Sequence, residues 1–224
     1  MNRPGEKEDG HEYGIRDTLF GDMPFSMWPE GGKPSSGEPW DAFVAAREDL
    51  ASGREAQAIE RLEAIVETPG LESRHTLQAW HFLRQLGVAP PDGEAKGVYG
   101  VVVEVTLEEG TDIVAAYADH TARYFNYSGA GVIWEGPDDS LDAAIDDLLG
   151  AGERIIQRIG PWDEARPPVP PRGQARVSML TPSGLHFGQA PFDVLMRDEM
   201  GGPILAAATR LMQALIEKSR RGAA

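Results

Sequence analysis

The chain has 224 residues, 41% of them apolar, no cysteine and a formal net charge of −15. That length can bury a sizeable core unaided, and the lack of cysteine removes disulfides, thiolate nucleophiles and cysteine-held zinc or iron–sulfur clusters. The acidity, with no basic tract, argues against nucleic-acid binding and favours encounter with a basic partner.

No run of about 18 apolar residues marks a spanning helix, and the opening MNRPGEKEDG lacks the apolar core of a secretory signal. A cytoplasmic protein without membrane association is therefore expected. Residues 1–39 hold seven glycines and five prolines with no sustained period, the composition of an irregular or partly disordered segment. Leu19, Phe20, Met23, Phe25, Met27 and Trp28 are too apolar for a solvated linker, and they mark an extended strap that docks on its own chain or on another protein. Phe25 and Trp28 are accordingly candidate binding residues.

Over residues 40–88 the period becomes helical. Trp40, Phe43, Val44 and Leu50 form one stripe, broken at Gly53. Ala58, Ile59, Leu62, Ile65 and Val66 form a second, ended by Pro69 and Gly70. Leu77, Trp80, Leu83 and Leu86 form a third, capped at Gly87. The stretch AREDLASGREAQAIERLEAIVETPG resembles a tetratricopeptide-type helical hairpin, with the small residues Ala46 and Ala58 at the crossing. The resemblance covers about one repeat. A single such unit cannot bury its faces by stacking, so it is expected to pack on the domain that follows.

The linker APPDGEAKG leads into a domain expected over 97–221. Val98–Leu107, interrupted by Glu104 and Thr106, reads as a central strand covered on both sides. A glycine turn returns the chain through Ile113–Ala118, and Asp119, His120 and Thr121 turn it again into Ala122–Tyr127. A short strand over Val132–Glu135 follows. Leu141, Ile145, Leu148, Leu149, Ile155, Ile156 and Ile159 then mark a helix, with a bend expected at Gly150 and Gly152. The segment 160–173, with five prolines and Trp162, is an extended crossing. Strands resume at Ala175–Thr181 and Leu185–Gly188, and Pro203 opens a last helix running to Ile216 and beyond. Turns this short exclude parallel crossovers. The fold class is α+β: a mostly antiparallel sheet of about six strands with two long helices packed on it, preceded by a small three-helix unit.

No phosphate loop, metal signature or nucleophile elbow occurs, so neither cofactor nor metal is expected. His120, Arg123 and His186 are the residues from which a hydrolase for phosphodiesters or esters could be assembled, with the histidines as base and acid and the arginine on the developing anion. The two histidines could instead share a metal with Glu104. His75 and His81, six apart in a helix, face different sides. The acids Glu135, Asp138, Asp139, Asp142, Asp146 and Asp147 form a column expected to be a solvated helix face or a contact for a basic partner. Tyr124, Asn126, Tyr127, Trp134 and Trp162 are residue types suited to an interface. Together these features favour a non-catalytic protein-binding, adaptor or regulatory protein that recognises another protein through its helical unit and aromatic sheet surface.

Overall fold

A computed structural model describes residues 15–28 and 37–222; the expected tail over 1–14 and the stretch 29–36 lie outside the described residues. Three helices come first, α1 (Trp40–Ala51), α2 (Glu55–Glu67) and α3 (Ser73–Gln85). The strands are β1 (Gly100–Thr106), β2 (Thr111–Tyr117), β3 (Ala122–Phe125), β4 (Gly131–Trp134), β5 (Gln174–Thr181) and β6 (Gly184–Pro191). Helix α4 (Asp142–Ile156) separates β4 from β5, and α5 (Phe192–Arg197) and α6 (Gly201–Gly222) close the chain. The short α5 has no counterpart in the sequence reading.

All strand pairs are antiparallel, in the order β4-β3-β2-β1-β5-β6. The class is α+β, as the short turns require, and β1 sits inside the sheet as its apolar run implies. Pairing registers sort the side chains. Trp134, Ala122, Ala116, Val101, Met179 and His186 form one cross-strand row, on the face that packs against Ile145, Leu148 and Ile156 of α4 and Ile204, Leu211 and Leu215 of α6. Each such fully buried aliphatic side chain contributes about 1.5–3 kcal/mol of transfer free energy.

The other face carries Val102, Ala115, Tyr117 and Leu180, and it is covered by Leu19 and Phe20 of the strap and Leu77 of α3. The three-helix unit keeps its own core around Phe43, Leu62, Phe82 and Leu83. Gly152 does not bend α4, which runs unbroken from Asp142 to Ile156. A Cβ at Gly152 would lie 2.8 Å from Val101 Cγ2 and 3.1 Å from Met179 Cγ, so glycine here serves the close approach of helix to sheet. Among the described residues no helix is long and apolar enough to cross a membrane.

Candidate functional site

The strap docks on its own chain. Phe25 stacks on Phe82 with ring centroids 3.9 Å apart, and Trp28 packs against Trp40 and Phe43. Gln78 of α3 accepts from the Met23 N–H at 3.0 Å and donates to the Met23 carbonyl at 2.9 Å, while the Tyr117 hydroxyl donates to the Leu19 carbonyl at 2.7 Å. Phe25 and Trp28, candidate binding residues on a strap that could dock on its own chain or on another protein, are therefore occupied within the chain: a strap that apolar is stable where its rings are covered.

Charges fasten the same segment. Glu104, fully buried on the central strand, pairs with Arg16 of the strap and, at 3.4 Å, with Arg176 of β5. Arg176 also donates to Gln189 Oε1 at 2.9 and 2.6 Å and to the carbonyls of Pro167 and Pro168. Arg166 donates to Asp22 at 2.7 Å and to Asp17 at 2.6 Å. Burial acts against its charge, and the two carboxylates outweigh it, so the Arg166 pKa is raised. These contacts bring the crossing segment 160–173 over the strap.

Where strap, α3, crossing segment and β5–β6 turn meet, they leave a cleft of about 540 Å³, within the range of about 300–1,000 Å³ typical of ligand sites. Phe20, His81, Arg84, Trp162, Arg166 and Ser183 are among its walls. Arg84 projects from the last turn of α3, and its Nη1 donates to the Pro182 carbonyl at 2.6 Å. Burial lowers its pKa to about 10, with Asp22 opposing the shift. Among the described residues no carboxylate forms an ion pair with Arg84. Trp162 remains 39% exposed; its ring lies edge-on to Phe187 and its Nε1 donates to the Ala165 carbonyl.

Burial likewise pulls the pKa of His81 down to about 4 from 6.5, against the attraction of Asp22. The unfolded chain takes up a proton at this histidine below about pH 6.5, whereas the folded one does so only near 4. Stability is therefore expected to fall as pH drops through that window, by up to about 3 kcal/mol from this group. In urea titrations between pH 7 and 4, His81→Gln should flatten that part of the slope; an unchanged slope would assign it to other groups.

The three residues of the hydrolase reading are not brought together. His120 lies in the β2–β3 turn at φ 59°, with Nδ1 3.3 Å from Asp142 and Nε2 3.1 Å from Asp146. Arg123 is only 4% exposed. It pairs in register with Ala115 and Ile133 and so lies on the strap face, where it donates to the carbonyls of Ala122 and Trp134. Burial, then Arg74, lowers its pKa. His186 is buried on the opposite face at the far edge of the sheet. At about 4.8 Å per strand, the four steps from β3 to β6 separate it from the His120 turn by roughly 15–19 Å.

His186 Nε2 is 3.1 Å from Ser183 Oγ, which is 2.9 Å from Thr181 Oγ1, and Thr181 donates to the Gly184 carbonyl at 3.0 Å. A carbonyl can only accept, so the chain of hydroxyls runs toward Gly184 and Ser183 accepts from the imidazole N–H. In that direction His186 does not act as a base toward Ser183. Glu104 is on the strap face and His186 on the other, so they cannot share a metal; among the described residues no three His, Asp or Glu side chains are grouped to hold one.

The interface candidates divide. Trp134 is buried against the helical layer beneath Lys218. The Tyr124 hydroxyl donates to Asp112, and Asn126 Oδ1 accepts from the N–H groups of Ser128 and Ala130 in the β3–β4 turn. Tyr127 is exposed, and Trp162 is the one that lines the cleft. The acidic column largely meets the chain's own basic side chains: Asp138 faces Lys218, Asp147 faces Arg210, and Asp142 and Asp146 lie within 3.3 Å of His120. Compared with known proteins, the chain matches no family model, no curated protein and no solved structure.

Proposed function

We propose that this is a non-catalytic binding protein of adaptor or regulatory type, which recognises another protein through the cleft between the strap, α3 and the β5–β6 turn. The observation that supports it is Arg84, a guanidinium without a carboxylate partner among the described residues, in the same cleft as the part-exposed ring of Trp162. Pockets that combine apolar walls with a few convergent polar groups are where recognition concentrates, and Trp and Arg are the residue types that dominate interface energies. His120, Arg123 and His186 are each engaged in separate contacts, which leaves no assembled set for hydrolysis. The net charge of −15 suits a basic partner, and the cysteine-free composition fits a cytoplasmic setting.

Affinity purification from the native host with tagged wild type is expected to recover one protein in stoichiometric amount. Trp162→Ala, at a partly exposed position, should reduce its recovery at least tenfold while leaving the circular dichroism spectrum unchanged. Isolation of the wild type alone, or equal recovery by the variant, overturns the reading.

A further inference from the structure

The cleft has a particular arrangement of unsatisfied groups. The Pro182 carbonyl takes only Nη1 of Arg84, and the side-on fork of Nε and Nη2 has no hydrogen-bond partner among the described residues. That fork lies over Gly184, where even an added Cβ would approach Nε to 3.7 Å and Nη2 to 3.9 Å. A planar guanidinium fork matches a carboxylate in two parallel hydrogen bonds. On the strap side of the same cleft, Asp22 Oδ1 and Arg166 Nη1 are buried and without a hydrogen-bond partner among the described residues. Both atoms are closed to solvent, so the Arg84 fork is the polar group that the cleft presents to a ligand.

The wider field decides between a free small anion and a chain end. The lining includes Asp163 and Glu164, both exposed at the rim, and the molecule carries −15 in all. Such a field opposes the approach of a small organic anion and draws in a polypeptide whose body is basic. Only close to Arg84 does the sign favour a carboxylate.

We propose that the cleft takes the C-terminal end of a partner polypeptide. The terminal carboxylate sits on the Nε–Nη2 fork of Arg84, a large apolar side chain lies against Trp162 and Phe20, and basic residues further back face Asp163 and Glu164. This rests on the reading that the ligand is a protein, and it names the feature recognised.

The test uses two bead-bound libraries, each with two lysines followed by three randomised positions, one ending in a free acid and the other in an amide. Fluorescently labelled full-length wild type is expected to be retained by the acid library at least tenfold more than by the amide library. Arg84→Gln should erase that preference, and Trp162→Ala should weaken retention while keeping it. Equal retention on both libraries, no retention on either, or an acid preference that persists in Arg84→Gln overturns the inference. The acid–amide comparison is made on wild-type protein, so it holds even if Arg84→Gln, which also loses the Pro182 contact, fails to fold. Should the libraries fail while a host protein still co-purifies in a Trp162-dependent manner, this inference falls and the binding reading stands. Failure of both experiments removes both.

Discussion

Replacing Glu104 by alanine is expected to lower the unfolding free energy by about 3–5 kcal/mol, the cost of removing one partner from a buried ion pair. The change leaves Arg176, only 2% exposed, and Arg16 without their shared counter-charge between the strap and the sheet. Arg176 keeps Gln189 and two proline carbonyls, which satisfy its N–H groups but not its charge. Glu104→Gln, which preserves the hydrogen-bonding shape, should fall between the two. Urea denaturation followed by circular dichroism measures all three. A loss below about 1 kcal/mol for the alanine variant would mean that the carbonyls and Gln189 suffice for Arg176. Replacing Arg16, Glu104 and Arg176 together by apolar residues of similar volume should cost far less than Glu104→Ala alone, since no charge is then left buried.

Phe82→Ala is the second change with a large expected effect, about 3–5 kcal/mol. Phe82 is completely buried at the centre of the three-helix unit, stacked on Phe25 and edge-on to Phe43 at 6.1 Å. The cavity left behind faces the strap, so the loss should be shared between the two. In a double-mutant cycle, Phe25→Ala and Phe82→Ala should couple by about 0.5–1.5 kcal/mol, the range for an aromatic pair. Additive losses would separate strap docking from the helical core. Combined with His81→Gln, which reports on the adjoining wall of the cleft, the cycle shows whether the strap and α3 unfold as one unit.

Much of the architecture is legible from short-range patterns. The stripes at Leu62, Ile65 and Leu83 repeat every three or four residues because one face of each helix must be buried. The turns around Gly110 and His120 are too short for anything but antiparallel returns. The bend expected at Gly152 fails because a glycine inside a helix has two physical uses, flexibility and close approach, and only the position of Val101 and Met179 selects the second. Arg123 offers a similar ambiguity. An arginine on an alternating strand reads as solvent-facing until the carbonyls of Ala122 and Trp134 are seen to satisfy it in a buried place.

The cleft itself was the least visible part. Trp162 stands out in the sequence as a large ring in an irregular segment, and Glu104 as a charge within an apolar central strand. Arg84 and Arg176 carry no such signal, since an arginine looks the same in a helix or strand whether it meets water or a carboxylate. By itself, the sequence determined the order and type of the main elements, α5 excepted, and the antiparallel sheet, because those follow from periodicity and turn chemistry over a few residues. Only the tertiary structure decided that Arg16 meets Glu104 across 88 positions and Arg166 meets Asp17 across 149. Contacts at that range arise from how the layers close on one another, and it is that closure which places Arg84 and Trp162 in one cleft.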